Sequence, residues 1–184
     1  MRARIHITGA SGSGTSTLGR CLADDFGVPQ LDTDDYYWAP SDLPFTARRP
    51  AAERLALMRQ ACGSGGWVIS GSCDGWGDPL VLEADLIVFL TLPTPLRLAR
   101  LKRRERRLFD ARIGPGGDME RNHRDFLTWA ASYDRPYFSG RSLNRHENWL
   151  AGLRMPVLRM RGDVPCGDMV SACRAAIETS ALAV

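Results

Sequence analysis

The chain has 184 residues, about the length of one compact domain, and a net charge of +3. Its 44% hydrophobic, 24% charged and 8% aromatic residues are those of an ordinary globular protein, which excludes disordered and fibrous classes. No stretch approaches the ~20 consecutive apolar residues of a membrane span, and Met1 leads into an alternating pattern without a signal-peptide core, so no membrane contact and a cytoplasmic location are expected.

Five cysteines, Cys21, Cys62, Cys73, Cys166 and Cys173, are odd in number and widely spaced, with no CxxC pair, so reduced thiols are expected. Of the 24 basic residues only Lys102 is lysine. Arginine suits repeated phosphate contact, because its fork binds two oxygens at once. The net charge is too small, and the bases too interspersed with acids, to imply a nucleic-acid partner.

Residues Arg2 to Thr8 alternate as a short strand that ends in a glycine-rich run. A helix follows with Leu18, Cys21, Leu22 and Phe26 on one face, stopping at Gly27. A second strand near Pro29 to Asp32 leads into Thr33 to Trp38, acidic and then aromatic. After a proline-punctuated loop, Leu55, Met58 and Cys62 mark a helix, and Trp67 to Ser70 reads as a third strand. Leu86 to Leu92 is apolar throughout, as in a central parallel strand covered on both faces. Thr94 is expected to cap an arginine-rich helix from Leu96 to about Leu108. Two further helices, near Met119 to Ala131 and Ser142 to Leu153, precede a last strand at Val157 to Met160 and a closing helix. Strands alternating with helices predict an α/β fold with a doubly wound parallel sheet.

The run Gly9, Ala10, Ser11, Gly12, Ser13, Gly14, Thr15, Ser16, Thr17 matches the P-loop pattern G-x-x-x-x-G-K-[ST] except that Thr15 stands where lysine belongs. Glycines let consecutive amides turn inward around phosphate oxygens, and the helix N-terminus adds partial positive charge. Ser16 occupies the place of the hydroxyl that ligates Mg²⁺. The lysine would contact the β and γ phosphates. Without it, either an arginine elsewhere provides the charge, or the site binds nucleotide with little or no turnover.

Asp32, Asp34 and Asp35 follow a strand end, the edge where ligands bind in an open parallel sheet. A carboxylate there can take a proton from an acceptor hydroxyl or hold Mg²⁺ through water. Tyr36, Tyr37 and Trp38 offer faces for a planar acceptor. Arg97, Arg100, Arg104 and Arg107, spaced by three, four and three residues, share one helix face, a positive stripe that can point at a triphosphate. His6 is expected to be structural, and His123 and His146 lack metal-site spacing.

With Gly9 to Thr17, the acidic segment Asp32 to Asp35, the strand Leu86 to Leu92 followed by Arg97 and Arg100, and Gly162-Asp163-Val164-Pro165 after the last strand, nearly the whole chain resembles the nucleoside monophosphate kinase-like group of P-loop kinases. That group includes adenylate, cytidylate, shikimate and gluconate kinases. The loop itself is similar to that of archaeal-type cytidylate kinases, which likewise carry threonine after the last glycine. Asp34-Asp35-Tyr36-Tyr37 is similar to the Asp-Asp-Phe-Tyr stretch of uridine kinase-like enzymes, whose first aspartate lies near the acceptor hydroxyl. The resemblance implies a single P-loop NTPase domain over 1–184, with five parallel strands, an acceptor-binding segment at 33–65 and a helical lid at 108–140. It implies a kinase, an ATP- and Mg²⁺-dependent phosphotransferase acting on a nucleotide or other small-molecule acceptor, as monomer or homodimer; a nucleotide-binding regulatory module is the alternative. Asp34, Arg100, Arg104 and Arg112 are then the expected catalytic residues. Gly9 to Thr17 with Asp163 and Pro165 are expected to hold the nucleotide, Asp32, Asp35, Tyr37, Arg49 and Ser72 the acceptor, and Ser16 the Mg²⁺.

Overall fold

The computed structural model describes residues 2–182. Five strands, β1 (Arg4–Gly9), β2 (Gln30–Asp32), β3 (Trp67–Ser70), β4 (Leu86–Thr91) and β5 (Val157–Arg161), form one sheet in the order β2-β3-β1-β4-β5, every pair parallel. The helices are α1 (Thr15–Phe26), α2 (Thr33–Tyr37), α3 (Ala51–Cys62), α4 (Asp78–Val81), α5 (Thr94–Phe109), α6 (Glu120–Ala131), α7 (Leu143–Ala151) and α8 (Cys166–Leu182), with a 3₁₀ turn at Asp110–Ile113.

β3 and β4 are buried on both faces, so they read as continuous apolar runs, whereas β1 and the edge strand β5 keep polar residues at alternate positions. Ile5, Ile7, Val68, Leu86, Val88 and Leu90 face α1 and α8, packing on Leu18, Leu22, Cys173 and Ile177. Trp67, Ile69, Ile87 and Phe89 point the other way, onto Met58, Cys62, Leu80 and Leu150. Helices thus cover both faces of the expected doubly wound sheet.

Three expectations are corrected. α5 begins at Thr94, whose hydroxyl bonds the Asp134 carboxylate and accepts from Arg97 Nη2 at 2.7 Å, so it makes no capping bond. Between Ser70 and Leu86, where the sequence predicts no element, the chain forms α4. The five reduced thiols become three: Cys62, Cys73 and Cys173 are free and buried, while Cys21 in α1 and Cys166 at the head of α8 form a disulfide across 145 residues.

Because all five strands run parallel, Gly9, Asp32, Ser70, Thr91 and Arg161 end on one edge. The segment that follows each strand therefore meets the others there, which is where ligands bind in such sheets.

Candidate active site

Gly9 to Ser16 turns from β1 into α1 at the centre of that edge. Gly14, the residue before α1, has φ 108°, a left-handed conformation that side chains resist, and α1 has neither a side-chain cap nor an acid in its first turn. The amides of Gly12 and Gly14 donate to nothing among the described residues, and those of Thr15 and Ser16, in the first turn, have no intrahelical acceptor. Gly162 approaches so closely that a Cβ there would collide with the Ser13 carbonyl, so the segment after β5 abuts the loop. The disulfide ties that same segment to α1 through the residue after Pro165.

Ser16 Oγ donates to Asp32 Oδ2 at 2.5 Å, and Ser70 Oγ donates to the same oxygen at 3.4 Å. Asp32 Oδ1 accepts from the Asp34 amide at 3.1 Å and so caps α2. That cap starts α2, which carries Asp34 and Asp35 directly after the end of β2. The Asp34 carboxylate takes no hydrogen bond among the described residues. Solvent reaches it, yet the protein crowded around it raises its pKa, with the Asp32 charge adding and Arg141 and Arg104 opposing. A cleft of ≈ 290 Å³ opens next to it, lined by Asp34, Asp35, Trp38, Phe45 and Arg49 among others. Among the described residues no group of three His, Cys, Asp or Glu gathers to hold a metal.

Other expected acceptor residues are engaged by their neighbours. Arg49 donates to the Tyr36 carbonyl at 2.6 Å and pairs with Glu53 at 3.0 Å. The Tyr37 ring is covered by the Arg54 guanidinium, 3.8 Å from its centroid. Ser72 sits in a polar chain: its hydroxyl donates to Asp74 Oδ1 at 2.6 Å and lies 2.9 Å from His146 Nε2, whose Nδ1 meets Tyr133 Oη at 2.7 Å. Burial, with the Arg141 charge adding, lowers the His146 pKa to about 4. Asp163 is engaged by Arg161 through two bonds, the shorter 2.6 Å, and Pro165 is exposed.

The arginine stripe divides. Arg97, 1% exposed, turns inward and donates to the Leu92 and Ala130 carbonyls, Thr94 and Asp134. Arg100 Nη1 donates to the Gly162 carbonyl at 3.0 Å, beside the loop. Arg104 pairs with Glu105 at 3.3 Å, and its charge is felt at Asp34. Arg112, in the segment after α5, is clamped by Asp118 at 2.8 Å and exposed. Arg141, before α7 and outside the residues expected from the sequence, donates from Nη2 to Ser11 Oγ in the glycine-rich loop. Arg135 and Arg141 both lie in the aperiodic stretch between α6 and α7, where no spacing singles out either one.

No family model matches the chain. It is 40% identical over 171 residues to the uncharacterised protein YqaC of Bacillus subtilis (strain 168), covering 92% of this chain and 94% of the relative. The chain belongs to the YqaC family. A cytidylate kinase of Methanoregula boonei is 25% identical over 142 residues, 71% of this YqaC-family chain and 76% of that one. Among solved structures, the shikimate kinase of Acinetobacter baumannii in complex with shikimate aligns with TM-score 0.57 at 16% identity, over 96% of this chain and 93% of that one. A gluconokinase of Sinorhizobium meliloti aligns with TM-score 0.52 at 15% identity, over 97% and 93%. The YqaC-family chain therefore has the fold of the P-loop small-molecule kinases.

Proposed function

We propose that this protein is an ATP-dependent, Mg²⁺-assisted phosphotransferase acting on a small hydroxylated acceptor or a nucleotide, within a single domain over 1–184. One observation carries the reading. The Ser16 hydroxyl and the Asp32 carboxylate meet at the head of α1, with the carboxylate of Asp34 one step farther along the same edge. The kinase names of the similar proteins agree with it.

The residues present fit both implied groups. The glycine-rich turn leaves amides without acceptors, and a donor set of one hydroxyl and one carboxylate suits a hard cation that keeps several waters. ATP provides the phosphoryl group, and Mg²⁺ neutralises its oxygens. The amides of Gly12, Gly14, Thr15 and Ser16 bind the phosphates, while Ser16 and Asp32 hold the metal. Asp34, ionised, accepts the proton of an acceptor hydroxyl, and Asp35, Tyr37, Arg49 and Ser72 shape the acceptor side within 33–65 and beyond. Arg100 and Arg104 add positive potential at the loop. Arg112 belongs to a lid over 108–140, where it becomes available to the nucleotide on leaving Asp118. Asp163 and Pro165 flank the base. No described helix is long and apolar enough to cross a membrane, and a cytoplasmic location is part of the proposal.

The test is to incubate the protein with ATP, Mg²⁺ and a panel of nucleosides, nucleotides and hydroxylated metabolites, following ADP. The expected result is ADP released only with a particular acceptor. Thr15 favours a second reading, a regulatory module that senses nucleotide. Tight ATP binding with no transfer to any acceptor selects that reading over the first.

A further inference from the structure

Resting on the phosphotransferase reading, we infer that Arg141 takes the place of the missing P-loop lysine, reaching the terminal phosphates of the nucleotide from beside Ser11. The loop is neutral at Thr15, so a cation must come from another element. The arginines expected to point at a triphosphate are already engaged: Arg97 is buried among the carbonyls of Leu92 and Ala130, Arg100 donates to the Gly162 and Ser13 carbonyls at 3.0 and 3.5 Å, Arg104 pairs with Glu105, and Arg112 is clamped by Asp118.

Arg141 differs from Arg97, Arg104 and Arg112 in having no carboxylate partner, and from Arg100 in bonding no backbone carbonyl. No carboxylate lies within 4 Å of it among the described residues. Its one side-chain hydrogen bond goes to the Ser11 hydroxyl, and its Nε is fully buried without a partner. A guanidinium with a buried, unpartnered Nε and one side-chain bond is costly unless an anion against its less buried Nη edge offsets the lost hydration. A phosphate does so through charge-assisted bonds stronger than the one to neutral Ser11.

The side chain is held ready. Its guanidinium carbon lies 4.9 Å from the centroid of the Trp129 ring. The next residue, Ser142, is buried and caps α7 by accepting from the Arg145 amide at 3.3 Å, and the Leu143 amide donates to the Tyr133 carbonyl at 2.9 Å. Asp34 and Arg141 each feel the other's charge, Asp34 raising the arginine's pKa against burial, so the guanidinium that bonds Ser11 is also within electrostatic reach of the expected proton acceptor.

The experiment is calorimetric titration of the full chain with a nonhydrolysable ATP analogue and, separately, with inorganic tripolyphosphate, both with Mg²⁺. Wild type is expected to bind both. Arg141→Met is expected to weaken both by about tenfold or more, the size of lost bonds to a charged group, while Arg141→Lys, which keeps the charge and guards against a variant that fails to fold, stays within a few-fold of wild type. Adding Thr15→Lys is expected to restore the affinity of Arg141→Met. A folded Arg141→Met that binds tripolyphosphate as wild type does overturns the assignment alone. Wild type that binds neither probe overturns the phosphotransferase reading and this inference with it.

Discussion

Ser16 Oγ and Asp32 Oδ2 lie 2.5 Å apart, one at the head of α1 and the other at the end of β2, so the two elements that frame the proposed metal position are already locked together. Asp32→Asn keeps an oxygen to cap α2 and removes the negative charge. Its melting temperature should stay close to wild type, while Mg²⁺ should cease to strengthen binding of a nonhydrolysable ATP analogue. A variant that keeps the full Mg²⁺ effect in calorimetry removes Asp32 from the metal position.

Arg97 and Arg107 share a helix face by periodicity but not by environment. Removing Arg97 leaves the Leu92 and Ala130 carbonyls without their donor in the interior and strips Asp134 of its charged partner. Arg97→Ala should therefore lose about 3 kcal/mol of unfolding free energy, whereas Arg107→Ala, at an exposed position, should change it by less than about 0.5 kcal/mol. Urea unfolding of the two variants checks this, and equal effects would refute the inward role of Arg97.

Much of this was legible in the sequence because it rests on local chemistry. Glycines bracket β3 closely enough that Trp67 to Ser70 could be read to the residue, and the glycine-rich turn with its following hydroxyl announces itself. Periodicity told that four arginines line up along α5, but not that Arg97 meets the interior, since that depends on where Ala130 and Asp134 return from α6. Arg141 and the Cys21–Cys166 pair were illegible for the same reason. Each contact joins residues more than a hundred positions apart, and nothing in the local spacing encodes which chain segments the sheet order brings together.

Two buried histidines make stability depend on pH. Burial lowers His6 and His146 to about 4, each helped by positive charge nearby, from an ordinary value of 6.5. Below pH 6.5 the unfolded chain takes up protons that the folded chain refuses, so stability should fall as pH drops from about 6.5 towards 4, by about 1.4 kcal/mol per pH unit for each histidine. The raised carboxyls of Asp34 and Asp35 oppose this loss only as the pH falls through their own folded values. Urea midpoints at pH 7 and pH 5 measure the slope, and His6→Asn should reduce it. A wild-type midpoint that does not move with pH contradicts the buried neutral state.

Asp34 must be ionised to accept a proton, and crowding holds its pKa above the usual carboxylate value. Once an acceptor is in hand, kcat should fall on the acid side with an apparent pKa above that of a free aspartate. Asp34→Asn should lower kcat by a factor on the order of 10² or more, yet leave nucleotide binding nearly intact, because no phosphate-facing amide depends on that side chain. Loss of ATP binding in this variant would move Asp34 from the acceptor side to the nucleotide side.

The Cys21–Cys166 bond joins α1, which carries the glycine-rich loop, to the residue just after Pro165, so it stiffens the side of the site proposed to face the base. Closing a loop of 145 residues restricts the unfolded chain strongly, and about 2–4 kcal/mol of stability is the ordinary contribution of such a bond. Dithiothreitol should lower the urea midpoint of wild type accordingly and leave Cys21→Ser unaffected. Thiol titration of the denatured, unreduced protein should count three free thiols, Cys62, Cys73 and Cys173, rather than five. Five reactive thiols together with an insensitive midpoint would show that the pair is reduced, and the segment after β5 would then be held to α1 by the Ser13–Gly162 approach and the packing of Leu18 and Leu22 on Cys173 and Ile177.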